Sequence, residues 1–349
     1  GTYFVSGTLD DGQIIVSAAD TDKVTLNFNN VNISCSYNAP VYVENADKTI
    51  INLTGENSIT DAASYTTTEE GIDSAVYSKD DLTISGTGSL DITANYMYAV
   101  NCKNDLKIKG GSIDITSADD AVRGKDSVEI KNGTLTVDSG GDGVKSTQGN
   151  VEISGGTLNI KASNDAIQAE TTIDISDGDI TACGDKGLTG VTGVNITGGN
   201  VLATATDNQV SGVTSSQGTM LMTYAAEWSK GNTISVLDNN TEIFSATPIK
   251  KFTYVLLSSP DLNASGSYTV KTADAKMLHS TSSTGVFAMN NTITEFTGVV
   301  AMDGEIVSTD STITFNSSNA TVTGDGVSAS GSTATITMPG TYQVYGNSE

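Results

Sequence analysis

The chain has 349 residues, with 41 acidic against 17 basic side chains and a formal net charge of −24. So acidic a surface lacks the basic face that nucleic acid or an anionic membrane requires, and no run approaches the ~18 apolar residues of a spanning helix. Charged residues are 17% and hydrophobic residues 37% of the chain, which excludes a charge-driven disordered polymer.

A chain that begins at Gly1 without a signal peptide is compatible with a processed mature form. We therefore expect a protein that is secreted or displayed on a bacterial cell surface. The three cysteines, Cys35, Cys102 and Cys183, are too few and too scattered for a disulfide framework or a zinc site. We expect them to be small buried residues.

From the first residues to about position 212, the sequence indicates a repeat of short strands. Its clearest mark is a small residue followed by an aliphatic one, spaced by 21 to 24 residues. Each such pair precedes a second apolar-polar-apolar strand, a glycine-containing turn and a third short strand. The pairs are Ala75-Val76, Ala99-Val100, Ala121-Val122, Gly143-Val144, Ala166-Ile167 and Gly187-Leu188.

Three alternating strands in about 22 residues are typical of one coil of a parallel β-helix, in which equivalent residues stack ~4.8 Å apart. We therefore predict an all-β protein whose residues 1–212 form a parallel β-helix, with a polar excursion at 64–70. Residues 213–275 favour antiparallel strands, and we predict a small β cap there. Residues 276–349 are predicted to be a β-rich C-terminal extension.

Acidic residues gather in the turn before each small–aliphatic pair. Asp120, Asp142 and Asp165 stand two positions before the aliphatic residue in successive coils, so a β-helix would stack their side chains. Neighbouring carboxylates repel, and a bound cation would relieve the repulsion. Oxygen ligands of this kind suit Ca²⁺, which we predict as a cofactor; the alternative is that aspartate simply favours turns and faces solvent. The candidate metal ligands are Asp73, Asp119, Asp120, Asp142, Asn164, Asp165 and Asp185.

Two basic residues, Arg123 and Lys145, follow the aliphatic residue in neighbouring coils. Beside the acidic column, they are candidates for binding a carboxylated sugar, or else for salt bridges to the same aspartates. Tyr77, Tyr96 and Tyr98 lie in successive turns. They form either a platform for sugar stacking or an aromatic stack that packs the coil edge.

On these motifs the chain resembles a bacterial family of secreted carbohydrate-binding-domain β-helix proteins, related in architecture to pectate lyases of family nine. The resemblance covers about residues 1–275. It rests on GTLDDGQIIV (7–16), AVYSKDDLTI (75–84), ADDAVRGKDSVEIKNGTL (118–135), GGDGVKS (140–146), NDAIQAE (164–170) and LLSSPDL (256–262).

The resemblance implies a right-handed helix, calcium among the turn acids and affinity for cellulose-like or pectin-like polysaccharide. Asp119, Asp120, Asp142 and Asp165 match the acidic turns of the family. The chain departs from the family pattern at Met97-Tyr98 and at Lys186.

We thus expect a noncatalytic, calcium-stabilised module that binds polysaccharide. One alternative is a calcium-dependent pectate lyase, in which Lys145 or Arg123 removes the proton next to a uronate carboxylate. A second alternative is a filament subunit, because GTYQVYG (340–346) echoes GTYFVSG (1–7). Residues 311–349 would then complete the first coil of the next subunit by strand addition, or else cap their own chain or belong to a tandem array.

Overall fold

Short strands with alternating apolar and polar residues make up most of the chain in the computed structural model. It describes residues 1–67, 71–207, 212–239, 241–263, 267–274, 283–288, 293–299, 311–315, 320–323, 327–330, 333–336 and 342–346. These residues contain no helix, and therefore no helix that could cross a membrane. The prediction of an all-β protein is confirmed.

The first 23 strands wind into coils. They are β1 (Thr2–Leu9), β2 (Ile14–Ser17), β3 (Lys23–Cys35), β4 (Val41–Asn45), β5 (Lys48–Thr54), β6 (Glu56–Asp61), β7 (Ser74–Ser78), β8 (Asp81–Gly86), β9 (Ser89–Ala94), β10 (Tyr98–Cys102), β11 (Asp105–Ile108), β12 (Ser112–Ser117), β13 (Val122–Gly124), β14 (Ser127–Ile130), β15 (Thr134–Ser139), β16 (Val144–Ser146), β17 (Val151–Ala162), β18 (Asp165–Ala169), β19 (Thr172–Cys183), β20 (Lys186–Gly190), β21 (Gly193–Ile196), β22 (Asn200–Ala205) and β23 (Val213–Ser215).

These strands stack in parallel, coil upon coil. One side of the solenoid is an eight-stranded sheet of β2, β4, β7, β10, β13, β16, β18 and β20. The other two strand columns join into one sheet, because the long strands β3, β17 and β19 run through both. In the eight-stranded sheet Val100 lies opposite Val122, and Val122 opposite Val144, so the small–aliphatic pairs set the register. The predicted parallel β-helix is confirmed.

The aliphatic residues of all three strand columns point inward and form one continuous core. Its side chains extend from Val16 in β2 to Leu256 in the cap, and almost all are less than 5% exposed. Alternation explains this core, since every second residue of a strand faces the same side. Cys35, Cys102 and Cys183 are free and buried, as predicted.

Past the last coil, strands turn antiparallel and close the solenoid. They are β24 (Gly218–Trp228), β25 (Asn232–Asp238), β26 (Thr241–Ala246), β27 (Phe252–Ser259) and β28 (Ser267–Asp274). β27 lies antiparallel between β22 of the last coil and β24, which joins the cap to the solenoid sheet. Parallel pairing continues to Ser215, three residues past the predicted boundary at 212.

The C-terminal strands are β29 (Ser283–Ala288), β30 (Ile293–Val299), β31 (Ser311–Phe315), β32 (Ala320–Thr323), β33 (Val327–Ser330), β34 (Thr333–Ile336) and β35 (Tyr342–Gly346). β30 pairs with β24, and β29 pairs with β28, so these strands continue the sheets of their own chain. Of the GTYQVYG motif, residues 340 and 341 lie outside the described residues. The predicted domain boundaries stay predictions.

Candidate functional site

The outward face of the eight-stranded sheet carries the predicted basic residues. Because the aliphatic residue of each pair points into the core, the next residue points out. Parallel register therefore stacks Asn101, Arg123, Lys145 and Gln168 in successive coils. Arg123 and Lys145 keep about a quarter of their side chains exposed.

The structure brings the three central aspartates together in a hydrogen-bonded column. Asp120 Oδ1 accepts the backbone N–H of Asp142 at 2.8 Å, and Asp142 Oδ1 accepts the backbone N–H of Asp165 at 2.9 Å. Each carboxylate thus caps the turn of the next coil. Gly141 fits this column because a Cβ there would collide with the Oδ1 atoms of Asp119 and Asp120.

The second carboxylate oxygens in the column hold the two basic side chains. An Arg123 guanidinium nitrogen lies 3.2 Å from Asp120 Oδ2, and Lys145 Nζ lies 2.5 Å from Asp142 Oδ2 and 3.7 Å from Asp120 Oδ2. The salt-bridge alternative for Arg123 and Lys145 is therefore confirmed. Burial raises the pKa of Asp120, although the Asp142 amide and the Lys145 charge act in the opposite direction.

This arrangement does not fit a calcium ion among the stacked aspartates. Ca²⁺ takes ~6–8 oxygen ligands. In Asp120 and in Asp142, however, one carboxylate oxygen already accepts a backbone N–H and the other already pairs with a cationic side chain. Within the described part of the chain, no three or more His, Cys, Asp or Glu side chains form a group that could hold a metal. The predicted calcium site stays a prediction without a preformed cluster to support it.

The remaining predicted metal ligands do not join the column as a common site. Asp73 accepts a hydrogen bond from Asn101 at 2.6 Å and lies 3.6 Å from Lys103 Nζ. Asp185 holds Lys250 Nζ at 2.8 Å, and this hydrogen bond lowers the pKa of Asp185. Asn164 lies in an exposed turn.

The predicted tyrosines divide into a buried one and two that reach the surface. Tyr77 is only 4% exposed and packs against Tyr42, with ring centroids 5.9 Å apart, so the prediction that it forms a sugar platform is wrong. Tyr98 and Tyr96 are half-buried. The Arg123 guanidinium carbon lies 4.6 Å from the Tyr98 ring centroid, a distance typical of a cation–π contact.

The repeat pattern does not predict the aromatic contacts made just before β7. Tyr65 stacks on Tyr96 with ring centroids 4.5 Å apart, and Ile72 packs with the buried pair Tyr42 and Tyr77. Tyr65 and Ile72 therefore pack with the outward tyrosines of the first coils. The one signal of this in the sequence is a tyrosine within an otherwise polar stretch.

The described residues thus define a parallel β-helix protein with a mixed aromatic and charged outer face. A family model described as "Carbohydrate-binding domain-containing protein" matches residues 1–328, so the chain belongs to that family.

Two comparisons with individual proteins agree with this family. A "Carbohydrate-binding domain-containing protein" of Acetivibrio thermocellus is 38% identical over 120 residues, which are 33% of this chain and 42% of that protein. The chain therefore spans less than half the length of this relative. A solved structure described as the polysaccharide lyase-like protein from C. thermocellum, in its gadolinium derivative, is 33% identical, with a TM-score of 0.51. The match covers 55% of this chain and 79% of that one.

Proposed function

We propose that this chain is a noncatalytic module that binds a cellulose-like or pectin-like polysaccharide outside the cell. The observation that carries the proposal is the half-buried Tyr98 ring, held by Arg123 on the outward face of a sheet. In this proposal the ring face not covered by Arg123 meets the C–H groups of a sugar, and the hydroxyl meets its rim. The family of the chain and its lyase-like neighbour support a carbohydrate as the ligand.

The state of Lys145 supports the noncatalytic part of the proposal. A lyase base must be unprotonated to remove the proton next to a uronate carboxylate. Burial alone would lower the pKa of Lys145, but the hydrogen bond to Asp142 and the charges of Asp120 and Asp142 outweigh it and raise the pKa. Lys145 therefore stays protonated at neutral pH, and Arg123 is likewise held by Asp120.

A pull-down on insoluble cellulose and on insoluble pectate tests the proposal. We expect wild-type protein to bind at least one of them, with or without EDTA, and Tyr98→Ala to bind about tenfold more weakly. Tyr3→Ala is the matched control, because Tyr3 is 56% exposed on β1, away from Tyr98, and should bind as wild type. Failure of the wild type to bind either polysaccharide contradicts the proposal. Release of unsaturated product from polygalacturonate contradicts its noncatalytic part.

Head-to-tail self-association is a second candidate function. It is favoured by the exposed apolar side chains of β1, where Phe4 is 87% and Tyr3 56% exposed, and by the GTY motif repeated near residue 340. Sedimentation velocity over a range of concentrations tests it. We expect larger species that disappear when residues 311–349 are deleted or when Phe4 is replaced by Lys. A monomer at every concentration contradicts this function and leaves polysaccharide binding unaffected.

A further inference from the structure

A cleft of about 290 Å³ opens between the solenoid and the cap. One wall consists of outward side chains from β17, β19 and β22, and the other of strand β26. The residues that matter for its chemistry are Asn159, Asp179, Thr181, Asn200, Ile243 and Phe244. Its volume lies just below the ~300–1,000 Å³ of drug-sized ligand sites, so only a small part of a polysaccharide could enter it.

The cleft arises because the cap packs on the last coil while its strand β26 extends over the preceding coils. Asn159, Thr181 and Leu202 stack in register on three successive coils, so the outward column changes from polar to apolar at its last member. Leu202 is fully buried against cap residues that include Met222 and Phe252. Strand β26 extends from this contact over Asn159 and Thr181, and the space between them is the cleft.

The polar wall is partly fixed in place and partly available for a ligand. Asn200 Nδ2 donates to Asp179 Oδ1 at 3.0 Å, while Asn200 Oδ1 accepts from Ser259 Oγ at 2.7 Å. Asn159 and Thr181 make no side-chain hydrogen bond to another described residue, so their amide and hydroxyl are available. Donors and acceptors held on rigid strands lose little conformational entropy on binding.

The opposite wall and the charge of the cleft define the class of ligand. Ile243 is half-buried and Phe244 only 8% exposed, so this wall is apolar apart from Ser245, whose hydroxyl pairs with that of Ser235. An apolar wall facing amides and hydroxyls matches a pyranose ring, which has C–H faces and a rim of hydroxyls. Among the described residues that line the cleft, Asp179 is the one ionisable residue, and its carboxylate would repel the carboxylate of a uronate.

We infer that this cleft is a subsite for a neutral sugar unit of the bound polysaccharide. The inference rests on the proposed function and adds to it a second contact, separate from Tyr98. The ligand places a C–H face toward Ile243 and Phe244 and its hydroxyls toward Asn159 and Thr181. A uronate unit is excluded from this subsite. The assignment does not depend on which sugar binds at the separate face that carries Arg123 and Lys145.

Filling the cleft without disturbing the fold tests the inference. Thr181→Tyr places a ring in the cleft, whereas Thr136→Tyr places the same ring two coils earlier in the same outward column, away from the cap. The probes are cellohexaose, which is neutral, and a galacturonate hexamer, measured by calorimetry. We expect wild-type protein and Thr136→Tyr to bind cellohexaose equally, and Thr181→Tyr to bind it at least about tenfold more weakly. Asn159→Ala should weaken it in the same direction.

The outcomes separate this inference from the proposed function. Equal binding of cellohexaose by the two tyrosine variants overturns the subsite, while binding that remains sensitive to Tyr98→Ala upholds the proposed function. Stronger binding of the galacturonate hexamer than of cellohexaose, when weakened by Thr181→Tyr, overturns the neutral-sugar assignment. A wild-type protein that binds neither hexamer nor either insoluble polysaccharide overturns both. Circular dichroism and the melting temperature confirm that both tyrosine variants fold.

Discussion

Lys145 balances the charge of two buried carboxylates at once. Its ammonium contacts Asp142 and Asp120, whose side chains are only 6% and 5% exposed. Removal of the cation leaves both carboxylates with less compensation in a poorly solvated place, and their protonation becomes more favourable. The effect is smaller than for a fully buried pair, because Lys145 is 24% exposed.

We therefore expect Lys145→Met to lower the free energy of unfolding by about 2 kcal/mol, below the ~3–5 kcal/mol typical of removing one partner of a fully buried pair. Urea denaturation followed by circular dichroism measures the change. Lys161→Met is the matched control, because the Lys161–Asp138 pair is exposed and should contribute less than ~1 kcal/mol. Equal destabilisation by the two variants would show that Lys145 stabilises the fold no more than an exposed ion-pair partner does.

Asp61 gives the fold a pH dependence of defined sign. Its side chain is buried and accepts hydrogen bonds from Tyr65 and from the backbone N–H of Asn95, yet burial outweighs them and raises the pKa of Asp61. A raised pKa means that the folded state binds a proton more tightly than the unfolded state. The stabilisation that this tighter proton binding gives the folded state is complete below the ordinary aspartate pKa of 3.8. It is lost as the pH rises through the raised pKa of Asp61.

Asp61→Asn removes this titration while preserving the shape of the side chain. Relative to wild type, we expect the variant to gain stability as the pH rises from about 4 toward neutral, by about 1.4 kcal/mol for each pH unit by which the wild-type pKa is raised. Urea midpoints measured across this range provide the comparison. Asp91→Asn, at an exposed strand position, is the control, and its urea midpoints should differ from those of wild type by the same amount at every pH. A difference between Asp61→Asn and wild type that does not vary with pH would contradict the assignment.

The cap is fixed to the solenoid by a lysine before β27. Lys250 Nζ donates to the backbone oxygens of Ala162 and Ser163, at 2.8 and 3.0 Å, and to Asp185 Oδ1 at 2.8 Å. These acceptors belong to the ends of two successive coils. Because the hydrogen bond lowers the pKa of Asp185, its stabilising effect is present above the ordinary pKa of 3.8 and is lost as the pH falls.

We expect Lys250→Met to destabilise the cap by about 2 kcal/mol at neutral pH, since it removes three hydrogen bonds to a charged group that is mostly buried. Trp228, the single tryptophan of the chain, lies in β24 of the cap and provides a fluorescence signal for its unfolding. Lys251→Met is the control, because its ion pair with Glu227 is exposed on both sides. A Trp228 transition that is the same in both variants would contradict this role for Lys250.

The same elements show what the sequence could and could not predict. Spacing of pairs such as Ala121-Val122 determines the coils, because each coil repeats one local pattern and stacking follows from it. The pattern also placed Arg123 beside Asp120 but left open whether a sugar or a carboxylate would hold it. Lys250 bonds to residues 65 to 88 positions away. The cleft under β26 likewise joins solenoid strands to a distant strand of the cap. Neither follows a repeating pattern, so only the three-dimensional structure reveals them.

One apolar core runs the length of the solenoid and stabilises it. Buried aliphatic side chains continue without interruption from β2 to β27, each coil covering the next. In such a solenoid, stability is approximately a sum over coils and the interfaces between them. Because cationic side chains already contact Asp120 and Asp142, we expect neighbouring coils to hold together without a bound ion.

Removal of divalent cations should therefore leave the melting temperature unchanged. A site filled by Ca²⁺ at 100 times its dissociation constant would stabilise the fold by ~2.7 kcal/mol, a shift that differential scanning calorimetry detects easily. We expect excess EDTA and millimolar CaCl₂ to give the same melting temperature, after subtraction of the effect of MgCl₂, which corrects for screening of the −24 charge. A rise specific to calcium that Asp142→Asn abolishes would instead support the cofactor predicted from the aspartate column, and would require Lys145 to leave Asp142 when the ion binds.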